Sequence, residues 1–292
     1  MISVGLVGAG LMGHGIALNV LKCGFPLAVL EHPGNQPIND LVRLGATTYG
    51  SALILASAVD VVIICVTGSP EVEAALTGPL GVLAGLRASG VVIDCSTSLP
   101  TSTERLAELV AAAGGRFLDA PMTRTPTEAA QGRLNLLVGG DAALLEECSP
   151  VLACFAESIV HAGPVGAGHR MKLLHNFVSL GFVTLLAEAA ACAERTGIDM
   201  DVFIDVLAHG GGSGLALDRL SPYLTDRDPG GLRFSIANAA KDIGYYSKMA
   251  ADAGVPHVIA DGVNQTLGLA AAALGASALV PELVSFLIEA QR

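Results

Sequence analysis

The sequence lacks several features that mark whole classes of protein. Tryptophan is absent, aromatic residues make up 4% and charged residues only 15% of the 292 positions. The net charge is −11 at pH 7, which argues against nucleic acid or an anionic membrane as a main partner. Any anionic ligand must therefore be captured by a few local positive groups.

Cysteine occurs six times, but in none of the arrangements that usually give it chemistry. There is no Cys-x-x-Cys pair and no cluster of histidine and cysteine with metal-ligand spacing. Cys65 and Cys95 lie in apolar runs typical of strands, and Cys192 lies in an alanine-rich segment. We therefore expect small buried cysteines and predict no metal site.

A signal peptide and a membrane span are also not expected. The first residues, MISVGLVGAG, have no basic segment and lead directly into a glycine turn. The uncharged stretch 262–281 is rich in alanine and contains Asn264, Gln265 and Thr266, which disfavours insertion into a bilayer. The sequence predicts a cytoplasmic protein.

Apolar residues (52%) and glycine (35 positions) are abundant. Up to about residue 162, apolar runs of strand length alternate with helical stretches, which is typical of βαβ units in a doubly wound parallel sheet. The predicted strands are Ser3–Val7, Leu27–Glu31, Val61–Val66, Val91–Cys95, Phe117–Asp119, Leu134–Val138 and Ser158–His161.

The alternation stops after Gly168. Residues 171–195 are predicted to form one long helix that is apolar almost all round, and helical patterns follow at 199–208, 213–221, 233–253, 256–274 and 280–290. The sequence thus predicts an α/β fold with two domains, a Rossmann-type domain over 1–163 and a long interdomain helix with an all-helical domain over 164–292. Because these helices need more burial than one subunit offers, a homodimer or homotetramer is expected.

A glycine motif follows the first predicted strand. Gly8-x-Gly10-x-x-Gly13 opens a helix at Leu11 and Met12. The first glycine permits the tight turn, the second lets a pyrophosphate approach the backbone, and the third lets helix and strand pack closely. The helix start supplies N–H donors for phosphate oxygens, so these five residues are predicted to bind a dinucleotide.

The type of dinucleotide is indicated at the end of the second predicted strand. Glu31 follows Gly13 at the distance where an acidic residue accepts the ribose hydroxyls of NAD and repels the 2′-phosphate of NADP. No arginine or lysine occurs between residues 23 and 42. The sequence favours NAD over NADP, although Glu31 could instead be a solvated loop carboxylate.

Two segments can carry the rest of the chemistry. CysValThrGlySerPro (65–70) and AspCysSerThrSerLeuPro (94–100) place hydroxyl residues just beyond strand ends, where they either face a ligand or cap helices. Reduction of a carbonyl needs a proton donor, and Lys172 lies one turn into the long helix with Asn176 at i+4. Burial would lower the pKa of Lys172 towards a useful range, whereas a surface lysine would have no such role.

Four blocks together resemble the β-hydroxyacid dehydrogenases, the group that includes 3-hydroxyisobutyrate dehydrogenase and tartronate semialdehyde reductase. They are GLVGAGLMGHGIALNVLKCG, DAPMTRTPTEAAQGRLNLLVGG, GPVGAGHRMKLLHN and FSIANAAKDIGYY. The resemblance implies a 6-phosphogluconate dehydrogenase-like fold, with Lys172 as catalytic acid/base and Asn176 on the substrate side. It also implies cofactor contacts from Val66, Thr67, Ser96, Thr97 and Lys241.

One segment departs from the usual family pattern, a serine followed by two glycines. Here Thr123, Arg124 and Thr125 stand between two prolines. With GlyHisArgMetLys at 168–172, this segment looks similar to the sulfolactaldehyde reductase branch of the family. An arginine fork and two hydroxyls suit an oxyanion such as a sulfonate. Alternatively, Arg124 forms a structural salt bridge.

His175 leaves the identity of the substrate open, because the sulfolactaldehyde reductase branch has asparagine at this position. His175 can donate to an anion, or it can be a core histidine. We expect an NAD-dependent oxidoreductase that interconverts a small anionic aldehyde and its primary alcohol. The alternatives are a carboxylate substrate such as tartronate or methylmalonate semialdehyde, an imine reductase, and an interaction module without catalysis; Lys172 disfavours the last two.

Overall fold

The computed structural model describes residues 2–289. The chain divides after Lys172 into two compact units, Met1–Lys172 and Leu173–Arg292. The domain boundary that the sequence predicts, between residues 163 and 164, stays a prediction.

The first unit is built on one sheet. Within the described residues its order is β3-β2-β1-β4-β5-β6-β8-β7, with β9 paired to β8. The strands are β1 Val4–Val7, β2 Leu27–Leu30, β3 Thr47–Tyr49, β4 Val61–Ile64, β5 Val91–Asp94, β6 Arg116–Asp119, β7 Met122–Thr123, β8 Leu134–Gly140 and β9 Ala156–Gly163. The first six strands are parallel and follow the order of a dinucleotide-binding sheet.

Burial explains why these strands form. β1, β4 and β5 are buried at every position, because helices cover both faces of the sheet; β1 and β4 carry no polar side chain, and β5 is apolar up to its last residue, Asp94. Two separate apolar clusters, one on each face, contain alternate residues of these strands, such as Ile63 and Ile64 of β4. The predicted doubly wound fold is therefore confirmed.

The sequence missed two short strands. Thr47–Tyr49 is a three-residue edge strand with no buried residue, and Met122–Thr123 has only two residues. β8 runs antiparallel to β6 and β7, so the sheet is mixed beyond β6.

The helices of the first unit begin and end near their predicted signals. The helix α6 ends at Ala112, just before the Gly114–Gly115 pair. The helices are α1 Leu11–Lys22, α2 Asn39–Arg43, α3 Ala52–Ala58, α4 Ser69–Thr77, α5 Val82–Gly85, α6 Pro100–Ala112, α7 Pro126–Gln131 and α8 Ala142–Leu152.

The long helix α9 runs from Ala167 to Arg195, through the division between the units. It begins four residues earlier than predicted. The helices of the second unit are α10 Met200–Ala208, α11 Leu215–Asp226, α12 Ile236–Asp252, α13 Val258–Leu274 and α14 Leu283–Glu289, with short 3₁₀ turns at Pro229–Gly231 and Val280–Glu282. They enclose one apolar core, to which α9 contributes Leu180, Val183 and Leu186. Residue 290 of the last predicted helix lies outside the described residues.

By length and composition, α9 is apolar enough to cross a membrane, with a mean hydropathy of 1.6 over its most apolar window. Just over half of that window is buried inside the protein. A buried core helix meets the same criterion, so this property alone is weak evidence for a span.

The expectation of uniformly buried cysteines was wrong in part. Cys95 and Cys148 are buried, whereas Cys23 and Cys192 are exposed. Burial raises the pKa of Cys65 to about 12, which keeps its thiol protonated at neutral pH. Cys23 closes a helix and Cys192 lies on the outer side of α9, positions that periodicity does not distinguish from core positions.

Candidate active site

The glycine turn has the geometry that a pyrophosphate needs. Gly8 adopts φ +97°, and a Cβ there would lie 2.3 Å from the carbonyl oxygen of Cys65. A Cβ at Gly13 would lie 2.0 Å from the Gly8 oxygen, whereas one at Gly10 would meet no atom within 4 Å. Glycine is therefore required by the fold at Gly8 and Gly13, whereas the space beside Gly10 is open to a group that approaches from outside.

The start of α1 fits an anionic group. No side chain in the described chain caps this helix, and its first turn contains no acidic residue. The first N–H groups, at Leu11, Met12 and Gly13, have no partner within the helix and carry its positive dipole end. Leu11 is 63% exposed. The residues present thus fit the phosphates of a dinucleotide.

Glu31 lies in an exposed turn directly after β2. The turn is held against the glycine segment by Asn35, whose Oδ1 accepts the N–H of Ala9 at 3.0 Å and whose Nδ2 donates to Leu30 O at 2.8 Å. The Gln36 N–H donates to Ala9 O at 2.8 Å. Sequence reasoning missed Asn35, because a Pro-Gly-Asn run predicts a turn without indicating its partner.

The residues that follow β4 and β5 meet directly. Ser96 is buried, its Oγ accepts the Val66 N–H at 3.0 Å, and its own N–H donates to Asp94 Oδ1 at 2.9 Å. Thr97 is half-buried and Thr67 is exposed. Neither hydroxyl segment caps a helix, because Gly68 and Leu99 occupy the N-cap positions of α4 and α6 without side-chain hydrogen bonds.

The Thr123–Thr125 segment is occupied by contacts within its own unit. Arg124 has φ +82°, and its Nη1 donates to the Glu157 carboxylate and, at 2.6 Å, to Arg133 O. Thr125 caps α7 in a capping box with Glu128. The side chain of Arg124 is therefore found in the structural salt bridge that the sequence left open, and its binding of a substrate anion stays a prediction.

Further contacts hold this segment and its neighbours in place. Thr123 is buried, and its Oγ1 accepts from Asn135 Nδ2 at 3.2 Å. The Arg124 guanidinium, through its hydrogen bond, holds the pKa of Glu157 below its usual range. Asn19, which the sequence analysis missed, fixes α7 by donating to Ala129 O at 2.9 Å.

Lys172 is half-buried, and its Nζ donates to the carbonyl oxygen of Met122 at 2.6 Å. This contact places the amine beside Thr123, at the start of the segment predicted to bind the substrate. The structure thus brings together the two parts of the site that the sequence predicted separately.

Three fully buried titratable residues were missed: Asp94, Asp119 and His169. Asp119 Oδ1 accepts the Gly166 N–H at 2.7 Å, and its Oδ2 accepts the His169 N–H at 2.8 Å. These bonds fix the start of α9. We call Asp94, Ser96, Asp119 and His169 the strand-end cluster. The sequence feature that could have indicated this cluster is an aspartate at the end of each of two buried strands, Asp94 in β5 and Asp119 in β6.

The second unit holds another polar group. Asn176 Nδ2 donates to buried Asp242 Oδ2 at 2.7 Å, and Lys241 Nζ lies 2.8 Å from Asp242 Oδ1. His175 Nδ1 lies 3.0 Å from Asn176 Oδ1. We call Asn176, Lys241 and Asp242 the amide cluster. Asp242 was missed, although it directly follows Lys241. Among the described residues, no group of three or more His, Cys, Asp or Glu side chains is placed to hold a metal ion.

Comparison with known proteins defines the family. The model of the NAD-binding domain of 6-phosphogluconate dehydrogenase matches residues 3–163, and that of the NAD-binding domain of NADP-dependent 3-hydroxyisobutyrate dehydrogenase matches residues 166–287. The chain belongs to the β-hydroxyacid dehydrogenase family, as its four sequence blocks predicted.

The chain is 33% identical to the 3-sulfolactaldehyde reductase of Escherichia coli, over 71% of this chain and 70% of that protein. It is 32% identical to the NAD-dependent L-serine dehydrogenase of Pseudomonas aeruginosa, over 76% and 74%. The structure of Mycobacterium tuberculosis 3-hydroxyisobutyrate dehydrogenase with L-serine matches with a TM-score of 0.87 at 27% identity, over 98% and 99% of the two chains.

These findings confirm the predicted class of activity. The protein is an NAD(P)-dependent oxidoreductase that acts on CH–OH groups, of the hydroxyacid and semialdehyde dehydrogenase type.

Proposed function

We propose that the protein interconverts a small anionic aldehyde and its primary alcohol, with NAD(H) as cofactor and Lys172 as the acid/base. The observation that carries this proposal is the hydrogen bond from Lys172 Nζ to Met122 O. It holds the amine next to the segment that differs most from the usual family pattern. The amine and the groups proposed to recognise the substrate would therefore lie next to each other.

The cofactor would be held by Gly8, Gly10 and Gly13 at the pyrophosphate and by Glu31 at the ribose. Val66, Thr67, Ser96 and Thr97 would line the nicotinamide side, and Lys241 would contact the cofactor. When bound, NAD(H) supplies or accepts the hydride. NAD is favoured over NADP because Glu31, whose turn Asn35 holds against the glycine segment, would repel a 2′-phosphate.

The Nζ of Lys172 would donate a proton to the carbonyl oxygen during reduction and accept it from the alcohol during oxidation. Because the Met122 carbonyl accepts one of its three N–H donors, the others are directed away from that contact. By the family resemblance, Asn176 would act on the substrate side and orient Lys172, and His175 could donate to the anionic group.

The acid group of the substrate would bind at Thr123, Arg124 and Thr125. A guanidinium has five N–H donors, and both contacts described above use Nη1 of Arg124. A sulfonate or carboxylate can therefore bind through other donors or displace Glu157. The relatives named for sulfolactaldehyde and L-serine support an acid group of one kind or the other.

The substrate is tested by NADH oxidation with sulfolactaldehyde, tartronate semialdehyde and methylmalonate semialdehyde in parallel, and by NAD⁺ reduction with L-serine. A tenfold preference in kcat/KM for the sulfonate, about 1.4 kcal/mol, would assign Arg124 to a sulfonate. Preference for any carboxylate would assign it to a carboxylate. Turnover of none of the four would refute the proposed substrate class.

The cofactor seat is tested by Gly10→Ala. Because a Cβ there meets no atom within 4 Å, the variant should fold normally but lose at least tenfold in NADH affinity. Gly262→Ala in α13, where a Cβ also meets no atom, is the matched control and should change neither property. Unchanged NADH binding in Gly10→Ala would contradict the proposed pyrophosphate site.

The choice of cofactor is tested by the ratio of kcat/KM for NADH to that for NADPH, measured for the wild type and for Glu31→Ala.

We further propose a homodimer or homotetramer in the cytoplasm, with neither nucleic acid nor membrane as a partner. Exposed apolar side chains support an interface between copies: Val178, Leu185, Val258 and Ile259 are 69%, 60%, 81% and 70% exposed. Light scattering of the purified protein should give two or four times the 29.6 kDa chain mass. A monomer at micromolar concentration would refute the interface.

A further inference from the structure

His169 lies in the first turn of α9, three residues before Lys172, and is completely buried. It is absent from the predicted site, and its side chain reaches neither the proposed substrate segment nor the glycine turn in any contact described above. A buried polar ring is costly unless its nitrogens are hydrogen-bonded. The contacts of this ring therefore indicate what it does.

The ring contacts two elements of the first unit. Its Nε2 lies 3.2 Å from Ser96 O, at the end of β5, and its Nδ1 lies 2.8 Å from Thr103 Oγ1 in α6. A carbonyl oxygen can only accept, so Nε2 carries a proton and donates to Ser96. The carboxylates of Asp94 and Asp119 face the ring at 3.8 and 3.7 Å, beyond hydrogen-bond distance.

Ser96 also contacts the end of a second strand. Its Oγ accepts the N–H of Val66, which follows β4, at 3.0 Å. The hydrogen bonds thus run from His169 to Ser96 and from Val66 to Ser96. The two segments that they join follow neighbouring parallel strands. They therefore lie at the carboxyl ends of the strands, where dinucleotide-binding proteins hold their ligand.

The backbone of His169 is fixed independently of its ring. Its N–H donates to Asp119 Oδ2, while the ring holds Ser96. One residue therefore connects the helix turn that carries Lys172 with the strand ends that are proposed to face the cofactor. We infer that His169 is a positioning residue, which sets the Ser96–Thr97 segment relative to Lys172 by donating its Nε2–H to the Ser96 carbonyl.

This inference rests on the proposed function, in which Ser96 and Thr97 face the nicotinamide and Lys172 moves the proton. It goes beyond that function by assigning a role to a residue that would touch neither substrate nor cofactor. A purely structural histidine would affect stability without affecting cofactor affinity or kcat at temperatures well below the melting point.

The test compares His169→Leu, which removes the donor, with His169→Gln, whose amide retains one. NADH affinity is measured by nucleotide fluorescence, kcat and KM by steady-state kinetics, and the melting temperature in parallel. Thr184→Val is the control, because it removes a buried hydroxyl of the same helix that bonds only locally, to Leu180 O. It should alter stability alone.

We expect His169→Leu to weaken NADH binding and to lower kcat, each at least tenfold, and His169→Gln to recover most of both. The inference is overturned if His169→Leu stays within twofold of the wild type in both, or if glutamine is no better than leucine. If the leucine variant does not fold, His169→Asn, whose amide is shorter, takes its place, and glutamine must again outperform it. A wild-type protein that binds NADH but reduces none of the tested aldehydes would refute the proposed substrate, while the NADH affinities would still decide the role of His169.

Discussion

The strand-end cluster and the amide cluster lie on either side of Lys172 in sequence, but they are built differently. In the strand-end cluster, carboxylates accept backbone N–H groups of Gly166, His169 and Ser96, and every member is buried. In the amide cluster, the contacts join side chains only, and the side chain of Lys241 is 22% exposed.

This difference in contacts implies that the two clusters have different roles. Carboxylates that bind backbone amides determine where the chain runs, and removing one leaves buried N–H groups without an acceptor. Contacts between side chains determine how individual groups are oriented and charged, and they leave the path of the backbone unchanged. We therefore expect the carboxylates of the first cluster, Asp94 and Asp119, to govern stability, and Asp242 of the second cluster to govern kinetics.

The largest expected effect belongs to Lys172, which lies between the two clusters in sequence. Lys172→Met keeps the apolar stem but removes the amine, and we expect kcat to fall about 10²–10⁴-fold with NADH affinity nearly unchanged. Lys248→Met, which removes an exposed amine paired with Asp252, is the control and should retain full turnover. Normal turnover in Lys172→Met would refute the mechanism.

The same substitution in both clusters tests the separation directly. Asp119→Asn leaves one of two buried N–H groups facing an amide that cannot accept, so the free energy of unfolding should fall by about 3 kcal/mol. Urea unfolding followed by circular dichroism measures this change. A loss below about 1 kcal/mol would show that the cluster does not determine the chain path.

Asp242→Asn should behave in the opposite way. The amide keeps the shape of the carboxylate but loses the ionic contact with Lys241, so kcat/KM should fall about tenfold. The free energy of unfolding should fall by only about 1 kcal/mol, because Lys241 can reach solvent. A stability loss as large as that of Asp119→Asn would remove the distinction between the clusters.

The smallest effect is expected for the exposed pair of Arg124 and Glu157, which belongs to neither cluster. Because Arg124 lowers the pKa of Glu157, the pair stabilises the fold above the usual glutamate range, near pH 4.3, and this contribution is lost as the pH falls through the lowered value. Glu157→Gln should therefore lower the melting temperature slightly at pH 7 and hardly at all at pH 3.

The same variant sharpens the assignment of Arg124. If Arg124 binds the acid group, releasing it from Glu157 should lower KM for the anionic aldehyde, and Arg124→Ala should raise it. Identical KM values in both variants and the wild type would show that the pair is structural only.

How much the sequence could predict depended on whether the information was local. The glycine turn at 8–13 and the buried strands were predicted because each is specified by a continuous pattern of residue types. Lys172 was found because it opens an apolar helix, and resemblance supplied its role.

The missing parts depend on contacts between distant segments. Asn35 and Asp119 accept N–H groups that lie 26 and 47 residues away, respectively, and no local pattern indicates such partners. The pairing of Arg124 with Glu157 spans 33 residues and equally required the fold. Asp119 ended a predicted strand and Asp94 was the last residue but one of another, but an aspartate there is as readily a surface turn residue as a buried anchor.

The backbone at Arg124 adopts φ +82°, a conformation that glycine takes without strain. The usual family pattern has glycine in this segment, so the arginine adds a side chain to a loop path that a bare backbone already favours. The position is therefore suited to redesign: glycine there would leave an open loop, and asparagine, which tolerates the same conformation, would leave a neutral donor. If Arg124 binds the acid group as proposed, exchanging this one side chain should alter substrate preference while the loop keeps its shape.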